Sequence, residues 1–178
     1  TPLAPEDRID RAEALQWMFF EQHSLEPNIG AAYFWLALVK GGRDLQSHAL
    51  EDWMEEGYRA LGVMEKHLAT RRFFAADRYS IADIALYAYT HLAHDCDYDL
   101  ARFPAVRDWL DRPNVAFLAP GPQYLEIALG LLDHLGTAGN LTTDVQIAAS
   151  AIEHEGVVHS HDSDFGRFPQ LRWVDPLR

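Results

Sequence analysis

Four small groups of residues in this 178-residue chain are of types, and at spacings, that could do chemistry. Ser80 and Asp83 stand three apart just ahead of an apolar run. There the serine can cap the backbone N–H of Asp83 while the aspartate reaches back to the N–H of Ser80. That is a structural pairing, a helix start. Cys96 is the single cysteine, so no disulfide can form within the chain and a reducing compartment is the default. Its neighbours His94, Asp95, Asp97 and Asp99 are mostly acidic, which disfavours the thiolate, and the thiol reads as inert. His159 and His161 flank Ser160, and alternation along a strand would put both imidazoles on one face. With no nearby cysteine and no third imidazole at motif spacing, they do not read as a transition-metal site. Asp144 opens a helical pattern and complements its dipole, while Asp162-Ser163-Asp164 reads as turn chemistry.

The elements that would position these groups follow from the apolar spacing. Pro5-Glu6-Asp7 opens a helix whose Ile9, Ala12, Leu15, Met18 and Phe19 recur at helical intervals. Pro27 interrupts the pattern, giving either a kinked helix or two helices that meet there. Gly41-Gly42 ends the next segment. A long amphipathic helix is predicted from about Leu45 to Thr70, with Leu50, Trp53, Met54, Tyr58, Leu61, Met64 and Leu68 inward. The capped helix from Ser80 to about His94 is apolar on most sides, Ile84 included, and should be central. Pro104 begins a short helix through Trp109.

The texture changes after Arg112. Pro113-Asn114 and Pro120-Gly121-Pro122 read as a junction spanning 113–122. Helices follow from about Gln123 to Leu135 and from Thr142 to His154. Two short strands, Val157–Ser160 and Leu171–Val174, then enclose the acidic turn. The chain is mainly α, with a small α/β segment of two helices and two strands at its end.

Charge narrows the partners. The formal net charge is −12, with 12 basic against 19 acidic residues up to Arg112 and 3 against 8 beyond it. No Lys/Arg cluster offers a surface for a phosphate backbone. No apolar run has the length of a membrane span, and no signal-peptide pattern opens the chain. A cytoplasmic protein without a membrane partner is expected.

Residues 1–112 resemble the helical C-terminal domain of bacterial glutathione S-transferases. The resemblance is carried by Trp17-Met18-Phe19-Phe20-Glu21-Gln22-His23 with Glu26-Pro27. Ser80-Ile81-Ala82-Asp83-Ile84-Ala85-Leu86-Tyr87 and the stretch from Phe103-Pro104 to Trp109-Leu110 add to it. It implies a helical bundle that lines the pocket of a hydrophobic co-substrate, to which Trp17 and Phe20 could contribute, with Ser80 and Asp83 as structural caps. It also implies that the groups gripping and activating glutathione belong to a thioredoxin-like domain outside these residues. Glutathione binding is not expected without that domain, and the apolar surface it would cover invites self-association or a protein partner.

Residues 123–178 resemble the second half of a VapC-type PIN ribonuclease. Gly139-Asn140-Leu141-Thr142-Thr143-Asp144, Ser160-His161-Asp162-Ser163-Asp164-Phe165 and Arg167-Phe168-Pro169 carry the likeness. It implies that Asp144, Asp162 and Asp164 stand at acidic positions that hold Mg²⁺ or Mn²⁺ for RNA cleavage. Two further carboxylates of that family have no counterpart, so metal binding would be weak and RNA a partner only if the site is completed. The expected function is that of a mosaic binding or interaction module without activity of its own. Two alternatives are a glutathione-transferase-related protein lacking its thioredoxin-like domain, and a ribonuclease completed by another chain.

Overall fold

Asp7 starts the first helix by accepting hydrogen bonds from the backbone N–H groups of Ile9 (2.8 Å) and Asp10 (3.1 Å), which have no partner inside the helix. The computed structural model describes residues 3–112, 116, 118–136 and 139–175. The junction expected at 113–122 falls partly outside them, as does the end of the chain from residue 176. The chain forms two compact units, Thr1–Val115 and Ala116–Arg178. Among the described residues no helix is long and apolar enough to cross a membrane.

In the first unit, α1 (Arg8–Phe20) runs directly into a π-helical stretch, Glu21–Gly30, then α2 (Ala31–Tyr33) and a second π-helical stretch, Phe34–Leu38. Helical structure therefore passes Pro27 without interruption, where the sequence left two readings open. Proline has no N–H to give and its ring crowds the carbonyl four residues back; a widened turn relieves that crowding. The Asn28 side chain donates to the Ser24 carbonyl at 2.8 Å, satisfying an acceptor beside the interruption.

Gly41, at φ 76°, turns the chain into α3 (Gly42–Leu45), and a turn through Gln46–Ala49 precedes α4 (Leu50–Leu68). The helix expected from about 45 to 70 is one helix that begins only at Leu50, because the backbone turns through residues 46–49. Leu45 is correspondingly exposed. On α4 the buried positions are Gly57, Ala60, Leu61, Met64 and Leu68. Gly57 lies against the Tyr98 ring, whose hydroxyl donates to the Trp53 carbonyl at 2.6 Å.

Ser80 and Asp83 form the capping box of α5 (Ile81–Thr90). Ile84 is 44% exposed, although a helix apolar on most sides is expected to be central. Its apolar sequence covers more of the circumference than its neighbours do. Glu65, on α4, reaches the start of α6 (Pro104–Leu110) and accepts from Ala105 N (3.1 Å) and Val106 N (3.0 Å). One carboxylate thereby ties two helices. Leu25, Ile29, Leu61, Met64, Phe74, Leu86 and Val106 are fully buried in one core. Each such side chain contributes about 1.5–3 kcal/mol on burial.

The second unit packs α7 (Tyr124–Leu135) on α8 (Thr142–Glu153) around Ala128, Leu131, Val145, Ala148, Ala149, Phe165 and Phe168. Gly136 closes α7 at φ 68°, a left-handed position that suits glycine. The strands are shorter than expected: β1 (Val158–His159) pairs in parallel with β2 (Trp173–Val174). The parallel connection between them is made through a 3₁₀ turn, Ser163–Arg167. Glu153, at the end of α8, accepts from Gly121 N and Gln123 N, both at 2.8 Å, and so fixes the entry to α7.

Candidate functional site

In the first unit α1 borders a cleft of about 520 Å³. Ile9, Asp10, Ala12, Glu13 and Gln16 line one side, and Arg71, Ala76 and Asp77 the other. Arg71 spans the cleft, meeting Glu13 at 3.1 Å and Asp77 at 3.2 Å. The turn that carries Asp77 is closed by the bridge between Ala75 and Arg78. Its central residues, Ala76 (φ 58°) and Asp77 (φ 47°), are both left-handed without being glycine, so the backbone here holds strain. The site combines two apolar side chains of α1, Ile9 and Ala12, with a cation whose charge is shared between two carboxylates.

Trp17 and Phe20 point elsewhere. Both are half-buried and pack against the core, with their rings edge to face at 5.3 Å. Trp17 also meets His67 at 4.7 Å and the buried Phe74 at 4.8 Å. The apolar side chains of α1 that stand in the open are Ile9 (79% exposed), Leu15 and Phe19 (73%). Ile9, Ala12, Gln16 and Phe19 follow one another at intervals of three, four and three, a single exposed face. The spacing could have shown this face, but periodicity alone does not say which side of an amphipathic helix is covered.

Ser80 and Asp83 are fully buried. Asp83 accepts from Ser80 N (3.0 Å), Ser80 Oγ (3.1 Å), Trp109 Nε1 (3.1 Å) and Phe74 N (3.4 Å). Burial raises its carboxyl above the ordinary aspartate value, against the pull of the indole and the Ser80 and Phe74 groups. The two contacts to Trp109 and Phe74 were not readable from the sequence. Cys96 is buried and donates toward backbone carbonyls, at 3.4 Å to Ala93. Burial first, then Asp97 and Asp95, push its thiol up to about 12, where it has little nucleophilic form.

In the second unit Asp144 occupies the first turn of α8. The Asp162 side chain accepts from Asp164 N at 2.9 Å and so caps the 3₁₀ turn, while Asp164 faces Arg167 at 3.6 Å. Each carboxylate has local work to do. Among the described residues no three His, Cys, Asp or Glu side chains stand close enough together to hold a metal ion. The set Asp144, Asp162 and Asp164 therefore does not fit a divalent cation by itself. His161 Nδ1 pairs with both carboxylate oxygens of Asp175 at 3.0 Å. His159 is exposed on β1.

Comparison with known proteins finds likeness to two families. The sequence profile described as "Glutathione S-transferase, C-terminal domain" matches residues 47–112, the stretch that holds α4, α5, α6 and Asp83. A solved structure, a possible glutathione S-transferase from Rhodopseudomonas palustris, superposes with a TM-score of 0.64 at 68% identity. It covers 66% of this chain and 59% of its own. By fold and by family match, then, the chain is glutathione-S-transferase-like. Ribonuclease VapC33 of Mycobacterium tuberculosis is 62% identical over 73 residues, 41% of this chain and 51% of that protein. Ribonuclease VapC37 of the same species is 36% identical over 107 residues, 57% of this chain and 74% of VapC37. Over that stretch the chain belongs to the VapC ribonuclease family. It spans about half the length of VapC33 and 59% of the R. palustris transferase. The VapC ribonucleases are thus matched by a chain whose three candidate carboxylates remain apart as a ligand set.

Proposed function

We propose that the chain is a glutathione-transferase-related protein whose first unit supplies one wall of a hydrophobic co-substrate site. In this reading a thioredoxin-like domain, in the same polypeptide or another, docks on the exposed face of α1 and provides the thiol chemistry. The observation that supports it is the apolar row Ile9, Ala12, Leu15 and Phe19, uncovered above a closed core, with the Arg71 cleft beside it. Large apolar side chains gathered on one helix face mark a surface made to be covered. Arg71 would orient a polar group of the bound molecule, and the Ile9–Ala12 wall its apolar part.

The test is conjugation of glutathione to chlorodinitrobenzene by this chain mixed with the thioredoxin-like domain of the R. palustris transferase. Turnover by the pair and by neither alone is expected, with loss in Phe19→Glu. No association and no turnover in the mixture would remove the reading.

A second reading, a ribonuclease completed by another chain, is favoured by the 62% identity to VapC33. It requires additional carboxylates to join Asp144 and Asp162. Mn²⁺-dependent RNA cleavage abolished by Asp144→Asn would support it, and no cleavage at any metal concentration up to millimolar would dismiss it.

A further inference from the structure

The widened helix of the first unit carries a second cleft that the transferase reading leaves without a role. It has a volume of about 470 Å³, within the range of small-molecule sites. Three aromatic side chains line it, Tyr33, Phe34 and Tyr89, together with Leu38, Leu92 and one carboxylate, Glu26. Phe34 and Leu38 are exposed at 49% and 61%, so the cleft is open to solvent.

Its shape depends on one glycine. A Cβ at Gly30 would come within 2.9 Å of Tyr89 Cε1, so the ring of Tyr89 can lie against the helix only because residue 30 has no side chain. The two π-helical stretches, Glu21–Gly30 and Phe34–Leu38, bring Glu26, Tyr33 and Phe34 to the same opening. Such widened turns recur at functional sites.

The charge is one-sided. Among the described residues the Glu26 carboxylate makes no hydrogen bond and no ion pair. The buried Glu21 lies near enough for Glu26 to raise its carboxyl, after the larger effect of burial. Burial, then Glu26 and then Glu21, also hold the Tyr89 phenol above its ordinary value, so its hydroxyl stays protonated. A negative end and aromatic walls have one complement: a cation with an apolar body. Ammonium groups are drawn to aromatic faces by the ring quadrupole and to a carboxylate by charge. An anion would meet Glu26, and a neutral apolar ligand would leave the carboxylate without a partner.

We propose that the cleft formed by Glu26, Tyr33, Phe34 and Tyr89 binds a hydrophobic ammonium cation. The inference goes beyond the transferase reading and does not rest on it, since glutathione chemistry plays no part in the site or in its test.

The test uses the whole chain and three matched probes: 2-phenylethylammonium, 2-phenylethanol and 3-phenylpropionate. Binding is followed by calorimetry and by the fluorescence of Trp35, whose ring lies 5.3 Å from that of Phe34. The cation is expected to bind about tenfold more tightly than the alcohol, and the carboxylate not at all. Glu26→Gln should bring the cation down to the level of the alcohol while leaving the alcohol unchanged. Gly30→Ala, which displaces Tyr89, should weaken both. Melting curves for each variant establish that it is folded. Equal affinity for cation and alcohol, cation binding untouched by Glu26→Gln, or no saturable binding at millimolar probe would each overturn the proposal.

Discussion

The indole N–H of Trp109 donates to Oδ1 of Asp83 across 3.1 Å, joining the second turn of α6 to the first turn of α5 inside the core. The same oxygen accepts from Phe74 N, and the other from Ser80. The residue that caps a helix thus also anchors the helix that follows and the loop that precedes it.

Removing that carboxylate orphans several buried donors at once. Asp83→Ala should lower the stability of the first unit by about 3 kcal/mol, and Trp109→Phe by about 1–2 kcal/mol. Chemical unfolding followed by tryptophan fluorescence checks the first, and circular dichroism the second. The pH dependence has a definite sign. The folded carboxyl is raised above the 3.8 of an unperturbed aspartate. The folded state therefore holds its proton more tightly than the unfolded state. What this ionisation contributes to stability is fully present below 3.8 and is lost as pH rises through the folded value. The deficit of Asp83→Asn against the native protein should accordingly shrink as the pH is raised from about 4 to about 7. A deficit that grew over that range would contradict the assignment.

Glu153 behaves in the opposite way. Burial works to raise its carboxyl, but the N–H groups of Gly121, Gln123 and Tyr124, with His154 nearby, outweigh that and hold it below the ordinary 4.5. Its contribution to the second unit is present above 4.5 and lost as pH falls through the folded value. Glu153→Gln should melt at a lower temperature near neutrality, the difference closing in acid. Thermal scans at several pH values decide it.

Ala76 occupies a left-handed turn position at φ 58°. A Cβ there costs about 1–2 kcal/mol, and glycine returns about 0.5–1 kcal/mol of that as unfolded-chain entropy. Ala76→Gly should therefore stabilise the first unit by about 0.5–1 kcal/mol, a rise of a few degrees in Tm. A lower Tm would show that the turn is not held as described.

Gly57 gives the reverse case. Alanine is the better helix former by about 1 kcal/mol. At this position, however, its methyl would overlap the Tyr98 ring and disturb the bond from Tyr98 to the Trp53 carbonyl. Gly57→Ala should cost about 2 kcal/mol, by urea unfolding. A cost of Gly57→Ala that vanishes when measured in a Tyr98→Ala background would place the clash at that ring.

Much of this was legible wherever the determinant is local. Ser80 and Asp83 lie three residues apart, Pro104 sits at a helix start and Gly136 at a helix end, and each acts on its own neighbourhood. The turn between α3 and α4 was not legible, because Gln46-Ser47-His48-Ala49 contains neither glycine nor proline to mark it. Nor was Ile84's exposure, since an apolar helix shows no sequence difference between a face that is covered and one that waits for cover. The exposed face of α1 has the same ambiguity: the transferase resemblance points to Trp17 and Phe20, whereas Ile9 and Phe19 stand open. The anchoring of α6 by Glu65 joins residues forty positions apart, which no local pattern encodes. In the second unit the VapC resemblance implies a role for Asp144, Asp162 and Asp164, but resemblance concerns identity and order in the chain, not convergence in space. Asp162 caps its own turn and Asp164 faces Arg167.

The uncovered face of α1 carries the functional account, and its occupancy can be measured directly. Titrating the thioredoxin-like domain of the R. palustris transferase into this chain should give saturable binding with a negative heat-capacity change, the mark of apolar burial. Phe19→Glu should abolish the heat while leaving the chain folded. Binding that Phe19→Glu leaves unchanged, or no binding by the folded native chain, would contradict the account.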